Sequence, residues 1–186
     1  VPAVTTLKSI KIGSRKSPLA RAQTEEVLSQ LHEHHPDREF FVVAMATGGD
    51  RNKDAPLLSL GRGTFVKEIE QSLLEGEIDC AVHSAKDLTA TLPDGLVLGG
   101  IVPRGDPRDV QVNRWGVGLS ELPENARIGT SSPRRKAQLM DLCPQAEVLP
   151  MRGSVLTRLD KALSDDYDGA VLAACGCIWL HLARQM

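Results

Sequence analysis

The stretch "RIGTSSPRRKAQL", from Arg127 to Leu139, has the pattern of a strand that turns directly into a helix. A short apolar segment runs into a glycine, three hydroxyl residues, a proline and three basic residues. "KIGSRKSPLARAQ", from Lys11 to Gln23, repeats this pattern. Serine is a favoured N-cap and proline fits the first helical turn, so Ser17-Pro18 and Ser132-Pro133 each predict a helix start. The repetition predicts two units, each containing the same strand-to-helix turn.

Apolar patterning on either side of these turns alternates between strand and helix. Further strands are predicted at "SIKIGS" (9–14), "EFFVVAMA" (39–46, buried), "IDCAVHS" (78–84), "GLVLGGIV" (95–102), "VQVN", "ARIG", "AEVLPM" and "DGAVLAAC". Helices are predicted from Pro18 to about His34, around Phe65, Val66, Ile69 and Leu73 up to Gly76, from Ser132, and around Val155, Leu156, Leu159 and Leu163. Such alternation favours parallel sheets covered by helices on both faces.

A break in this pattern falls at "PRGDPRD", where two prolines and a glycine occur within seven residues. Clusters of this kind interrupt regular structure and are typical of connections. We therefore predict a first domain over residues 1–103 and a second over residues 104–186.

Composition excludes several classes of protein. The 186 residues are 41% hydrophobic and only 3% aromatic, so the core must consist of Val, Leu, Ile and Ala. A net charge of −2 gives no overall positive surface for nucleic acid, and no apolar run is long enough to span a membrane. The four cysteines lack metal-ligand spacing, so we expect no metal and a reduced, cytoplasmic protein. A plastid location remains open if a transit peptide was removed.

The two strand-to-helix turns combine features of anion-binding sites. Free N–H groups and the helix dipole favour an anion at a helix start, and ligands bind at the carboxyl ends of parallel strands. Basic side chains add to this charge at Arg15, Lys16, Arg134, Arg135 and Lys136. Arg152, beside Gly153 at a predicted strand end, is a further candidate ligand. The alternative is that the cations of the two turns form a solvated helix face. Arg158, one to two turns further on, could be a surface residue.

One carboxylate, Asp87, follows a strand end within "HSAKD" in this otherwise cationic set. It could form an ordinary ion pair with a neighbouring base. It could instead stabilise positive charge that develops during a reaction, often a large term in catalysis. His83 in the preceding apolar strand is interpreted as structural.

Taken together, these segments are specific enough to identify a resemblance. They are "IGSRKSPLARAQ", "TGGD", "GRGTFVKEIEQSLLEGEIDCAVHSAKDL", "LPDGL", "DPRD", "IGTSSPRRKAQL", "RGSVLTRLDKAL" and "YDGAVLAACG". In this order they resemble the porphobilinogen deaminase (hydroxymethylbilane synthase) family. The resemblance implies an α/β fold: two periplasmic-binding-protein-like domains with mixed, mainly parallel sheets and a ligand cleft between them. It also implies a small third domain.

The family's activity is implied in the same way. Four porphobilinogen units are condensed head to tail, with loss of ammonia, into the linear tetrapyrrole hydroxymethylbilane, on a dipyrromethane cofactor. Asp87 resembles the catalytic aspartate, which would bind pyrrole N–H groups and stabilise a cationic azafulvene. The residues that match the family's ligands for carboxylates and its other cleft positions are Arg15, Ser17, Lys67, Ser84, Lys86, Thr130, Ser131, Ser132, Arg134, Arg135, Arg152, Gly153 and Arg158, and Arg62 stands where the motif usually has lysine.

Part of the family pattern is not found in this sequence. The cysteine that carries the cofactor belongs to the third domain, which would follow Met186, so we expect a truncated or incomplete form. Cys175 and Cys177 do not match the cofactor motif and are interpreted as small buried residues. The partners implied are porphobilinogen and a linear oligopyrrole, and we expect a monomer. The alternative is a non-catalytic, two-lobed carboxylate-binding protein or an inactive variant.

Overall fold

The computed structural model describes residues 9–51 and 63–182 of the chain. The chain divides into two compact units, Val1–Pro103 and Arg104–Met186. Each unit contains its own sheet.

The first unit contains a three-stranded parallel sheet in the order β2-β1-β3. Its elements are β1 (Ile10–Arg15), α1 (Pro18–His34), β2 (Phe40–Met45), α2 (Gly48–Arg51), α3 (Lys67–Leu74), β3 (Cys80–Ala81) and a short 3₁₀ helix at Ala85–Asp87. The central strand β1 contributes Ile12, which is fully buried, as are Val66 and Ile69 of the same unit.

Helix α1 begins and ends where the sequence predicts. The Ser17 hydroxyl accepts a hydrogen bond from the Ala20 amide at 3.2 Å, which satisfies one of the free donors of the first turn. A buried hydrogen bond of 2.7 Å between the Thr24 and Ser14 hydroxyls then joins the helix to β1. The prediction of a helix starting at Pro18 is therefore confirmed, with its cap.

Two strand predictions in this unit need correction. No strand forms at residues 95–102, where Val97 is 86% and Ile101 82% exposed. A strand needs a hydrogen-bonded neighbour, and no strand of the described sheet pairs with this segment. Strand β2 forms as predicted but is not buried throughout, because it lies at the sheet edge and exposes Phe41 and Val42.

The second unit contains a four-stranded mixed sheet in the order β4-β7-β5-β6. Its elements are β4 (Asp109–Asn113), a 3₁₀ helix at Leu119–Glu121, β5 (Arg127–Gly129), α4 (Pro133–Leu142), β6 (Glu147–Leu149), α5 (Val155–Ala162), β7 (Gly169–Ala173) and α6 (Ala174–Trp179). Strands β5, β6 and β7 are parallel, whereas β4 runs antiparallel to β7. Helix α6 was not predicted.

The core of the second unit is aliphatic, as the shortage of aromatic residues predicts. Ile128 and Leu139 pack with the buried Cys143, and Met151 packs with two alanines. Gly129 is needed beside Met151, since an added Cβ would lie 2.9 Å from the Met151 Cβ and 2.2 Å from its Cε. Among the described residues no Phe, Tyr or Trp is fully buried.

An ion-pair cluster closes the amino-terminal ends of β5 and β7. The Asp168 carboxylate accepts hydrogen bonds from the Arg127 amide at 2.9 Å and from the Arg127 Nε and Nη2 at 3.0 Å. Arg114 Nε lies 3.1 Å from the same carboxylate. The hydrogen bonds from Arg127 lower the pKa of Asp168. This amino-end cluster joins the start of two neighbouring strands and is structural.

Candidate functional site

The first unit brings a cation and a carboxylate together at the edge where ligands bind in such sheets. Arg15 is the last residue of β1, and Asp87 lies in the 3₁₀ helix that follows β3. Because β1 and β3 are parallel, their carboxyl ends lie at the same edge of the sheet, and Arg15 and Asp87 are both located at this edge. The Arg15 Nη1 atom lies 3.6 Å from the Asp87 Oδ2 atom, and both side chains are mostly buried. Asp87 therefore presents its charge in a partly dehydrated place.

An aromatic ring supports the Arg15 side chain. The Arg15 Cζ atom lies 4.3 Å from the centroid of the Phe65 ring, within the range of a cation–π interaction. The ring also packs on the backbone of Gly49, where an added Cβ would lie 2.1 Å from a ring carbon. The hydrophobic spacing predicted Phe65 only as a residue of a helix core, and its contact with Arg15 was not predicted.

His83 lies close enough to this pair to respond to both charges. Burial lowers the pKa of His83, which Asp87 raises and Arg15 lowers further. Its Nε2 atom is buried and has no hydrogen-bond partner among the described residues. We infer that the imidazole is neutral at neutral pH, because a charged ring would leave a buried donor unsatisfied.

The other predicted residues of the first unit are placed as follows. The Ser17 hydroxyl caps α1, and the Ser84 hydroxyl donates to Gln23 Oε1 at 2.9 Å. Lys67, the first residue of α3, and Lys86, beside Asp87, are exposed. Arg62 lies outside the described residues.

In the second unit the predicted hydroxyl residues build the turn between β5 and α4. The Thr130 hydroxyl accepts from the Ser132 amide at 3.2 Å, and the Ser132 hydroxyl accepts from the Arg135 amide at 3.4 Å. The Ser131 hydroxyl donates to the Met151 carbonyl at 2.8 Å, which joins this turn to the end of β6. These bonds fix the start of α4 at the carboxyl edge of the sheet.

Arg135 is held by a carboxylate that sequence analysis did not assign. Its Nε donates to Asp109 Oδ2 at 2.8 Å, its Nη2 to Asp109 Oδ1 at 2.5 Å, and its Nη1 to the Val171 carbonyl at 3.3 Å. Asp109 is the first residue of β4 and part of "DPRD". The antiparallel direction of β4 brings its first residue to the carboxyl end of β7, which strand patterning alone could not reveal.

Arg158 has no such partner in the part of the chain that the structure describes. Burial lowers the pKa of Arg158, and the nearby charge of Arg135 lowers it further. Its Nε donates to the Ser154 carbonyl at 3.4 Å, and no carboxylate of the described residues forms an ion pair with it. A half-buried cation beside a second cation favours an anionic ligand.

The remaining predicted residues occupy the same edge of this sheet. Arg134, at the second position of α4, is exposed, and Arg152, after β6, is half-buried. Gly153 has a φ of +129°, and an added Cβ would lie 2.8 Å from a Thr157 side-chain carbon. Glycine is therefore required there by conformation and by space. In the described part of the chain no group of three His, Cys, Asp or Glu side chains could hold a metal ion.

Comparison of the sequence with known proteins identifies the family of this chain. Residues 10–186 match the family model described as "Porphobilinogen deaminase, dipyromethane cofactor binding domain". The chain belongs to the porphobilinogen deaminase family. The resemblance inferred from the motifs is thereby confirmed.

Relatives named porphobilinogen deaminase are similar along nearly the whole chain. One from Syntrophotalea carbinolica is 47% identical over 179 residues, which cover 96% of this chain and 57% of the relative. One from Bacillus subtilis is 48% identical over 171 residues, which cover 91% of this chain and 54% of the relative. The chain thus spans a little more than half the length of these relatives.

The fold is similar to that of a solved periplasmic binding protein, as predicted. The aliphatic sulphonate binding protein SsuA from Escherichia coli matches with a TM-score of 0.51 and 12% sequence identity. The match covers 95% of this chain and 53% of that protein. At this identity the likeness concerns the fold alone.

The cofactor named for the porphobilinogen deaminase family, dipyrromethane, can be related to the side chains of the second unit. A dipyrromethane bearing carboxylate groups requires cations that are not already neutralised. Arg158 meets this requirement, and the helix dipole at the start of α4 also favours an anion in the same unit. The residues of the second unit therefore fit the carboxylates of such a group.

Proposed function

We propose that this chain belongs to a hydroxymethylbilane synthase. The enzyme would condense four porphobilinogen units, with loss of ammonia, into hydroxymethylbilane in tetrapyrrole biosynthesis. The observation that carries this proposal is the Arg15–Asp87 pair of 3.6 Å at the carboxyl edge of the first sheet. A carboxylate that faces the ligand would repel an acidic group in a protein that only binds carboxylates, whereas it would stabilise positive charge that develops in a reaction.

Asp87 would act on the pyrrole that reacts. Its carboxylate accepts hydrogen bonds from pyrrole N–H groups and stabilises the positive charge that develops as ammonia leaves. Charge stabilisation by a preorganised group is strongest where water is excluded, and Asp87 is only a quarter exposed. Arg15, itself held on Phe65, keeps the carboxylate in place.

The basic residues would bind the acetate and propionate groups of the substrate and product. Arginine suits this task because its planar group can bind a carboxylate through two hydrogen bonds. We assign this role to Arg15, Lys67, Lys86, Arg134, Arg135, Arg152 and Arg158, with polar support from Ser17, Ser84, Thr130, Ser131, Ser132 and Gly153.

When bound, dipyrromethane supplies the pyrrole to which the first porphobilinogen unit is joined. Arg158, with the start of α4, would hold carboxylates of this group in the second unit. The half-buried position of Arg158 supports the assignment, because an anion would restore a charge balance that the described residues lack.

We also propose that the protein is a cytoplasmic monomer without nucleic-acid partners. The net charge of −2 supports the last point. No helix in the described part of the chain has the length and apolar character needed to cross a membrane. Size-exclusion chromatography with light scattering tests the oligomeric state.

The test of the proposed activity compares Asp87→Asn with Asp94→Asn in the full-length protein. Asp94 is an exposed carboxylate of the same unit and serves as the matched control. Porphobilinogen consumption is followed with an aldehyde colour reagent, and porphobilinogen binding by calorimetry. Asp87→Asn should lower the rate by about 100-fold or more with little loss of binding, since charge stabilisation acts in the transition state.

Three outcomes have defined meanings. A rate retained in Asp87→Asn would remove the role assigned to Asp87. Binding of porphobilinogen without turnover by the unaltered protein would favour a non-catalytic carboxylate-binding protein. Absence of both binding and turnover would refute the proposed function.

A further inference from the structure

The Asp109 carboxylate occupies one complete side of the Arg135 guanidinium. It accepts from Nε at 2.8 Å and from Nη2 at 2.5 Å, the side-on arrangement with two hydrogen bonds. The Val171 carbonyl accepts a further hydrogen bond from Nη1 at 3.3 Å. A guanidinium has five N–H donors. Two donors, one on each Nη atom, therefore have no partner among residues 9–51 and 63–182 and can serve a ligand.

The position of Asp109 is itself fixed by the sheet. Asp109 pairs with Ala173 in the register of β4 and β7, and the Ala174 amide donates to the Arg108 carbonyl at 3.0 Å. The carboxylate thus projects from a hydrogen-bonded strand rather than from a free loop. A group held in this way can fix the direction of the side chain that it binds.

The charges of the neighbouring residues give Asp109 a second task. Burial lowers the pKa of Arg158 and the charge of Arg135 lowers it further, so the two cations interact. Arg135 is only 13% exposed, and an uncompensated charge there would repel Arg158 in a place with little water. Asp109 compensates this charge and leaves Arg158 as the cation available to an anion.

We propose that Asp109 is a positioning residue for carboxylate binding in the second unit. It turns Arg135 so that the outer Nη1–Nη2 end is left for a ligand carboxylate, and it allows Arg158 to remain close by. This inference rests on the proposed function, because it takes the acidic groups of the pyrrole substrate or product as the ligand.

The proposal predicts that removing the Asp109 carboxylate changes the affinity for an anion in the direction opposite to that expected from net charge alone. Removing a carboxylate makes the site more positive, which by itself should strengthen binding of an anion. If Asp109 positions Arg135, Asp109→Ala should instead weaken binding of porphobilinogen by about tenfold, as expected when one charged hydrogen bond is lost. Asp109→Asn retains one acceptor, so its affinity for porphobilinogen should lie between those of the unaltered protein and of Asp109→Ala.

The experiment uses calorimetric titration of the full-length protein with porphobilinogen. The variants are Asp109→Ala, Asp109→Asn, Arg135→Ala and the double variant Asp109→Ala/Arg135→Ala. Asp141→Ala is the charge-matched control, because Asp141 is exposed and lies on the same helix as Arg135. The double variant should bind no more weakly than Arg135→Ala alone, since a positioning residue acts only through its partner.

Each result decides between the two views. Unchanged or tighter binding in Asp109→Ala overturns the proposal, as do losses that add fully in the double variant. Circular dichroism checks folding, and unfolding of both Asp109→Ala and Asp109→Asn would show that Asp109 serves the fold instead. Failure of the unaltered protein to bind porphobilinogen would refute the proposed function. Normal binding with no effect at Asp109 would refute this inference alone.

Discussion

Replacing Arg158 with methionine should have opposite effects on stability and on ligand binding. Methionine keeps most of the apolar stem and removes the charge. That charge is half-buried, its pKa is lowered first by burial and then by Arg135, and no described carboxylate pairs with it. The unliganded protein should therefore gain about 1 kcal/mol, a typical gain when a residue kept for function is replaced.

Binding should weaken at the same time. A hydrogen bond to a charged group contributes about 1.5–3 kcal/mol, which corresponds to a loss of affinity of roughly 10- to 150-fold. Urea unfolding measures the stability, and calorimetric titration with porphobilinogen measures the affinity. Arg104→Met is the control, because Arg104 is an exposed arginine of the same unit.

Two results would contradict this reasoning about Arg158. A less stable variant would show that the cation is compensated in the unliganded protein. Unchanged affinity would show that Arg158 does not contact the anion. If Arg104→Met changed stability and affinity to the same extent, the effect would reflect overall charge and not the half-buried position of Arg158.

Three further predictions concern stability. Asp168→Ala should lower the melting temperature by about 5 °C. Because the pKa of Asp168 is lowered by folding, its carboxylate stabilises the folded protein above the ordinary pKa near 3.8, and this stabilisation is lost as the pH falls further. The difference in melting temperature between Asp168→Ala and the unaltered protein should therefore shrink in acid. Gly129→Ala should cost about 1–3 kcal/mol in urea unfolding through its clash with Met151, and an unchanged midpoint would contradict this packing. The pKa of His83 is lower in the folded protein than in the unfolded chain, so protonation of His83 favours unfolding. The free energy of unfolding should therefore fall as the pH drops below about 6.5, and it should fall less in His83→Gln. Identical pH profiles of stability for the two proteins would refute this.

Local signals allowed much of the fold to be predicted from the sequence. The Ser-Pro pairs at Ser17 and Ser132 fix helix starts through hydrogen bonds within a few residues, so they can be identified without knowledge of the rest of the chain. The same turns placed Arg15 at a strand end, and "HSAKD" placed Asp87 after another. Their proximity followed from the rule that parallel strands end at one edge.

The errors concern features that depend on distant partners. Residues 95–102 have the composition of a strand, but pairing depends on a neighbour that composition does not show. Asp109 looked like part of a connection, and its contact with Arg135 spans 26 positions and an antiparallel strand. Phe65 was assigned to a helix core from its hydrophobic spacing. Its stacking on Arg15 depends on tertiary structure and could not be predicted from that spacing.

Substitutions at the two ends of strands β5 and β7 should have different consequences. The Asp168 cluster lies at their amino ends and includes Arg127, the first residue of β5, whereas the hydroxyls and cations follow the carboxyl end of β5. Changes in the Asp168 cluster should reduce the amount of protein in a cell, whereas a change to an exposed cation such as Arg134 should leave normal amounts of inactive protein. A variant survey that scores abundance and growth separately would then sort substitutions in this unit by the strand end they alter.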